Sequence, residues 1–169
     1  MSRWRPPSPK SSPYITREGY VRLEQELKDL WRRRGEVVQA LSAAAAEGDR
    51  SENAEYIYRK KQLREMDQRI GYLQKRMPKL LVISEPPPDK RHVFFGAWVT
   101  VEDENGQEIR YHIVGTDELD PAKGHISVDS PMACALLKRA PDDKVRLLTP
   151  EGEVRYFITE VYYADDTGN

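Results

Sequence analysis

One cysteine, three histidines and three phenylalanines in 169 residues leave little material for disulfides, metal cages or a thick aromatic core. The lone Cys134 excludes an internal disulfide framework and is compatible with a reducing compartment. Lying on an apolar helix face, it reads as packing rather than reactive chemistry. His92, His112 and His125 show no metal-ligand spacing, and no catalytic role is assigned to them. No apolar run approaches the roughly 20 residues that span a bilayer, and no cleavable signal pattern opens the chain. A soluble, cytoplasmic protein with no membrane partner is therefore expected. With 38% hydrophobic and 33% charged residues, the composition fits much exposed helix rather than one thick core. The length allows one or two domains.

A dominant overall charge is also missing, but the net −1 hides an asymmetry. Residues 1–13 hold three basic residues and no acidic one. Residues 14–80 hold 15 basic and 11 acidic residues, a balance of +4, whereas residues 81–169 hold 9 and 17, a balance of −8. A basic first half on an acidic second half points the first towards an anionic target such as nucleic acid. Solvated helix faces would give the same composition, so charge alone leaves both readings open.

What the chain does contain is two mirrored heptad stretches. Tyr20, Leu23, Leu27, Leu30, Arg34, Val37, Leu41 and Ala44 alternate spacings of three and four, and so do Tyr56, Arg59, Leu63, Met66, Ile70, Leu73, Met77 and Leu80. Paired outward from the polar run between them, the positions of each pair sum to 100 (44 with 56, 30 with 70, 23 with 77). Facing seam residues of an antiparallel hairpin must meet at the same height, which this symmetry provides. A first helix over 17–47, N-capped by Thr16, would span about 45 Å at about 1.5 Å per residue. The second is expected to start near Ser51 or Glu52, and Pro78 to end or kink it, which leaves Leu80 a doubtful seam member. Arg34 and Arg59, at seam positions, are expected to swing their charged ends outward.

The segments read as a disordered tail (1–13), a coiled-coil finger (14–83), a stiff linker around Pro86-Pro87-Pro88 (84–92) and a second domain (93–169). In the last the period falls to two. Strands are expected over 93–102 and 108–114 around an Asn105-Gly106 turn, then over 125–129, 144–148 and 154–163. A short helix over 131–139 would be capped by Asp129 or Ser130. The fold class is α+β: an antiparallel coiled-coil hairpin, then a small, mostly antiparallel sheet domain with one short helix.

The polar run Gly48-Asp49-Arg50-Ser51-Glu52-Asn53-Ala54-Glu55 is the tip of the finger. Asp49 or Ser51 capping the second helix, with Glu52 against its dipole, is the plain explanation. It does not explain a compact carboxylate pair at the end of so long a finger. Asp49 and Glu52, three apart at a helix start, can converge on one cation, and Mg²⁺ is commonly held by one or two protein carboxylates plus water and phosphate oxygens. On an exposed tip they make a half-site, to be completed by ligands elsewhere. The basic residues Arg50, Arg59, Lys60, Lys61 and Arg64, with Arg32, Arg33 and Arg34 along the first helix, read either as solvated faces or as contacts to RNA phosphates. Tyr56 or Tyr58 would be available to stack on a base.

The run from Gly48 to Tyr56 resembles the tip signature of the bacterial transcript cleavage factors, the Gre proteins. Tyr14-Ile15-Thr16-Arg17-Glu18-Gly19-Tyr20 is similar to their first-helix start, and Asp129-Ser130-Pro131-Met132-Ala133 to a motif of their C-terminal domain. Arg50, the stretch from Tyr58 to Glu65, and Phe94-Phe95-Gly96-Ala97-Trp98-Val99 look like the GreB branch. The N-terminal tail and Pro78 depart from the pattern.

The resemblance implies a transcription elongation factor that binds bacterial RNA polymerase and inserts its tip through the secondary channel. There it would stimulate endonucleolytic cleavage of backtracked nascent RNA by the polymerase active site. Asp49 and Glu52 would help hold a catalytic Mg²⁺, shared with the polymerase and not bound tightly by the free protein. The protein would not be an enzyme itself. The basic cluster would hold the extruded RNA 3′ segment, and Asp129, Ser130 and Pro131 would dock on the polymerase. A monomer is expected. A channel-blocking regulator without cleavage fits less well with two retained carboxylates, and a client-gripping chaperone fits less well with a charged tip.

Overall fold

The computed structural model describes residues 11–47 and 53–164. Two long helices come first, α1 (Arg17–Ala46) and α2 (Ala54–Arg76). Thr16 caps α1, its hydroxyl oxygen accepting the Gly19 N–H at 3.1 Å. The cap of α2 is Asn53, whose Oδ1 accepts the Tyr56 N–H at 3.1 Å. The helix thus begins at Ala54 and not near Ser51 or Glu52, because the last cap-competent side chain of the polar run takes the role. Polar contacts between the helices include Ala44 with Asn53, Arg34 with Asp67 and Glu26 with Arg69, and positions fall on one helix as they rise on the other. The pair is antiparallel.

Every seam position named above is buried or half-buried. Leu23, Leu30, Val37 and Ala44 are buried on α1, and Met66, Ile70 and Leu73 on α2. Each buried Leu, Ile or Met contributes about 1.5–3 kcal/mol from the apolar surface removed from water. Pro78 does end α2, in a 3₁₀ turn at Met77–Lys79, but the turn keeps the chain on course and Leu80 stays buried. The doubt over Leu80 is thereby removed. Arg34 does not swing free: its guanidinium meets the Asp67 carboxylate of α2 at 2.6 Å, and this hydrogen bond and charge raise its pKa above the ordinary value.

The chain divides into two compact units, residues 20–80 and the remainder. Short strands β1 (Tyr14–Thr16) and β2 (Leu81–Ile83) pair in parallel and belong with the second unit, although 14–83 reads as one finger in sequence. Three residues each are too few to show a period of two. Ser12 and Pro13 are tied in as well, Pro13 O accepting the Leu81 N–H at 2.7 Å, so order begins before residue 14.

The main sheet contains β3 (Trp98–Glu102), β4 (Glu108–Val114), β5 (His125–Ser127), β6 (Lys144–Thr149) and β7 (Gly152–Tyr162), in the order β5-β4-β3-β7-β6. All its pairs are antiparallel except β4 with β5. The expected strand from residue 93 starts only at Trp98, because Gly96 at φ +87° turns the chain. Val93 instead pairs its backbone with Lys138 and Arg139. The short helix α3 (Pro131–Leu136) stops before the expected residue 139, where Lys138 adopts φ +68°. Val99, Val101, Ile113, Val145 and Ile158 from one sheet face form the core with Met132, Ala133 and Leu136 of α3. Cys134 lies off that buried face and is exposed, which corrects its reading as a packing residue. The opposite face carries Trp98, stacked on His112 at 4.1 Å, with the Arg110 guanidinium 4.6 Å from the same ring.

Candidate functional site

The tip residues Asp49, Arg50, Ser51 and Glu52 lie outside the described residues, but their flanks are defined. Asn53 uses both ends of its amide: Oδ1 caps α2, while Nδ2 donates to the Ala44 carbonyl near the end of α1 at 2.8 Å. One side chain therefore satisfies an orphan donor of one helix and adds a second hydrogen bond to the Ala44 carbonyl of the other, which also accepts the Glu47 N–H at 3.2 Å. With Asn53 as the cap, capping no longer accounts for Asp49 or Ser51.

The basic cluster on α2 splits into two kinds. Arg59 is occupied, its Nε bonding Glu55 at 2.8 Å and an Nη bonding Gln62 at 3.1 Å. It therefore braces its own helix. Lys60, Lys61 and Arg64 are exposed and have no carboxylate partner among the described residues. Lys60 lies 5.9 Å from the Tyr56 ring, and Tyr58 is largely exposed. Cations without a carboxylate partner among the described residues, near the half-buried Tyr56 and the exposed Tyr58 that Arg59 lies over, supply both elements of a single-strand surface, backbone charge and a stacking plane.

The second candidate site is the loop before α3. Ser130 is the cap, its hydroxyl oxygen accepting the Ala133 N–H at 3.2 Å, and Pro131 follows in the first turn. Asp129 does not cap. Its exposed carboxylate accepts the Ser12 N–H at 2.8 Å, the Ser12 hydroxyl, and the Thr116 hydroxyl at 3.2 Å. The Ser127 hydroxyl oxygen accepts the Asp129 N–H at 3.1 Å, so the loop is held from both sides.

Sequence reasoning missed Ser12, Thr116 and Ser127 here, and missed Glu118 altogether. The buried Glu118 carboxylate accepts the Thr16 hydroxyl and the N–H groups of Thr16 at 3.0 Å and Gly115 at 2.7 Å. A Cβ at Gly19 would run into that carboxyl group, which accounts for the glycine. Thr16 and Glu118 stand 102 positions apart, so no local pattern could have announced them. Among the described residues no group of three or more His, Cys, Asp or Glu side chains is placed to hold a metal ion.

The chain thus joins a two-helix antiparallel hairpin, with cations that have no carboxylate partner among the described residues, to a small α+β unit bearing an exposed aspartate loop. The family profile described as transcription elongation factor, N-terminal, matches residues 13–82, and that described as transcription elongation factor, GreA/GreB, C-term, matches residues 88–163. The chain belongs to the GreA/GreB family of transcription elongation factors. It is 57% identical to transcription elongation factor GreB of Xanthomonas axonopodis pv. citri, over 97% of this chain and 99% of that one. It is 54% identical to GreB of Pseudomonas aeruginosa, over 96% and 98%. Both relatives are on the GreB branch to which Arg50 and the stretch from Phe94 to Val99 pointed. The solved structure of GreA factor homolog 1 of Thermus thermophilus aligns at 24% identity and a TM-score of 0.41, covering 88% of this chain and 97% of that one. Among the described residues no helix is long and apolar enough to cross a membrane.

Proposed function

We propose that this elongation factor binds bacterial RNA polymerase in the cytoplasm as a monomer and reaches the active centre through the secondary channel with its hairpin tip. There it stimulates endonucleolytic cleavage of backtracked RNA by the polymerase. The observation that carries the reading is the hairpin itself: a continuous seam leads towards the segment bearing Asp49 and Glu52, and Asn53, by capping α2, leaves Asp49 without that structural role. Two hard carboxylates suit Mg²⁺, and two ligands are too few for an independent site. Asp49 and Glu52 would hold the ion jointly with the polymerase, where it supplies Lewis acidity beside the scissile phosphate. Lys60, Lys61 and Arg64, with Arg50 at the tip, hold the phosphates of the extruded 3′ segment, and Arg59 supports them by fixing the helix surface. Asp129, on the loop that leads into the Ser130 cap and Pro131 of α3, makes the docking contact.

The test is RNA cleavage in stalled, backtracked transcription complexes, resolved on gels. The wild-type protein is expected to shorten the RNA and restore elongation. Asp49→Ala/Glu52→Ala should bind polymerase as well as wild type yet leave the RNA intact. Wild-type cleavage by the double variant would falsify the role of the tip.

A further inference from the structure

The arginine run at 32–34 is not absorbed by the tip or by docking. Its members have separate fates: Arg32 sits 3.9 Å from Asp29 of its own helix, Arg33 is exposed with no carboxylate partner among the described residues, and Arg34 crosses to Asp67. Asp67 lines a shallow groove on α2 with Lys60, Leu63, Arg64 and Gln68. On the other side Arg34 lies over the Trp31 indole, 5.9 Å from its centroid. Groove, ion pair and indole are therefore contiguous, running from Lys60 down the hairpin to Trp31. About half of the Trp31 surface, 48%, stays exposed.

Trp31 presents apolar surface to water and lies off the seam, whose layer here is filled by Leu30 and Ile70. Its ring is nevertheless held in place, since Arg34 is fixed by a charge-assisted bond to the opposite helix. An aromatic plane at the end of a track whose cations Lys60 and Arg64 have no carboxylate partner among the described residues matches what a single-stranded nucleic acid requires: phosphate neutralisation along the strand and a face for a base. From these contacts we infer that Trp31 is a stacking platform for single-stranded RNA, the far end of a track that begins at Lys60. Trp31 lies 15 residues before Ala46, which corresponds to about 22 Å of helix at about 1.5 Å per residue. Only RNA extruded far along the hairpin reaches it. The inference rests on the proposed cleavage function and adds a length sensor to it: deep backtracking engages Trp31, shallow backtracking does not.

The experiment titrates Trp31→Ala, Trp31→Phe and wild-type protein against complexes backtracked by a few nucleotides or by many, reading the concentration that gives half-maximal cleavage. Trp31→Ala should raise that concentration at least about fivefold for deep complexes and leave it unchanged for shallow ones, with Trp31→Phe close to wild type. A photoreactive thiouridine near the 3′ end of deeply extruded RNA should crosslink to residue 31. Trp31 is half exposed and off the seam, so Trp31→Ala should lower the thermal midpoint by no more than a few degrees, and the crosslink is read on wild-type protein independently of the variant's stability. A rise that is equal in deep and shallow complexes, without the crosslink, would mean that Trp31 touches the polymerase protein and overturns the inference. So would no change in either. Failure of the wild-type protein to stimulate cleavage at all would instead overturn the function on which the inference rests.

Discussion

Asn53 shows how much one side chain can settle. It caps α2 and bonds the end of α1, so the two effects can be separated by choosing the replacement. Serine caps nearly as well as asparagine but cannot reach the Ala44 carbonyl, whereas alanine does neither. Asn53→Ala should lose about 1 kcal/mol, lowering the thermal midpoint by about 2–4 °C. Asn53→Ser should melt close to wild type and still cleave more slowly, because the base of the tip is no longer tied across. Equal cleavage by Asn53→Ser and wild type would show that the cross-hairpin bond does not orient the carboxylates. Glu118 is the other single residue with wide reach. Its removal in Glu118→Ala strands the N–H groups of Thr16 and Gly115, at about 1–3 kcal/mol for each donor left unsatisfied, and calorimetry should register the loss.

At the scale of elements, the hairpin shows which interactions matter to stability and which to recognition. Arg34–Asp67 and Arg69–Glu26 bracket the Leu30 and Ile70 layer, and all four side chains are about a third or more exposed. Solvent screens such exposed pairs, which contribute less than an added apolar seam residue. Arg34→Leu should therefore melt at or above the wild-type temperature; a drop of several degrees would mean that the pair carries more than its exposure allows. The seam itself was legible in sequence because heptads are local, and the mirror sum needed no tertiary information. The cap of α2 was not: Asp49, Ser51 and Asn53 are all cap-competent within five positions, and only a partner on the other helix selects among them. Strands of three residues, such as β1 and β2, leave no period to read. Cys134 misled because the six-residue α3 is too short for its buried face to be read from spacing.

At the scale of the whole molecule, the charge balance differs between the two units, +4 over residues 20–80 and −5 over the remainder, and the proposed function would divide the work along the same line. If the hairpin supplies carboxylates and RNA contacts while the sheet unit supplies docking, a docking defect must be curable by concentration and a tip defect must not. Asp129 was legible as a docking candidate from its motif, but its partner Ser12 lies 117 positions away and left no local signal. That partnership changes what a substitution tests. Because Ser130, not Asp129, caps α3, Asp129→Ala removes exposed hydrogen bonds to Ser12 and Thr116 without unwinding the helix. Its thermal midpoint should stay within about 2 °C of wild type, as exposed bonds contribute little. Polymerase affinity should fall nonetheless, so that half-maximal cleavage requires more protein while the maximal rate is retained. Ser130→Ala is the matched comparison: it loses a cap, about 1 kcal/mol, and should melt lower with the carboxylate of Asp129 still present. If Asp129→Ala instead shows a reduced maximal rate at saturating protein, docking and tip chemistry are coupled, and the division of labour between the units fails.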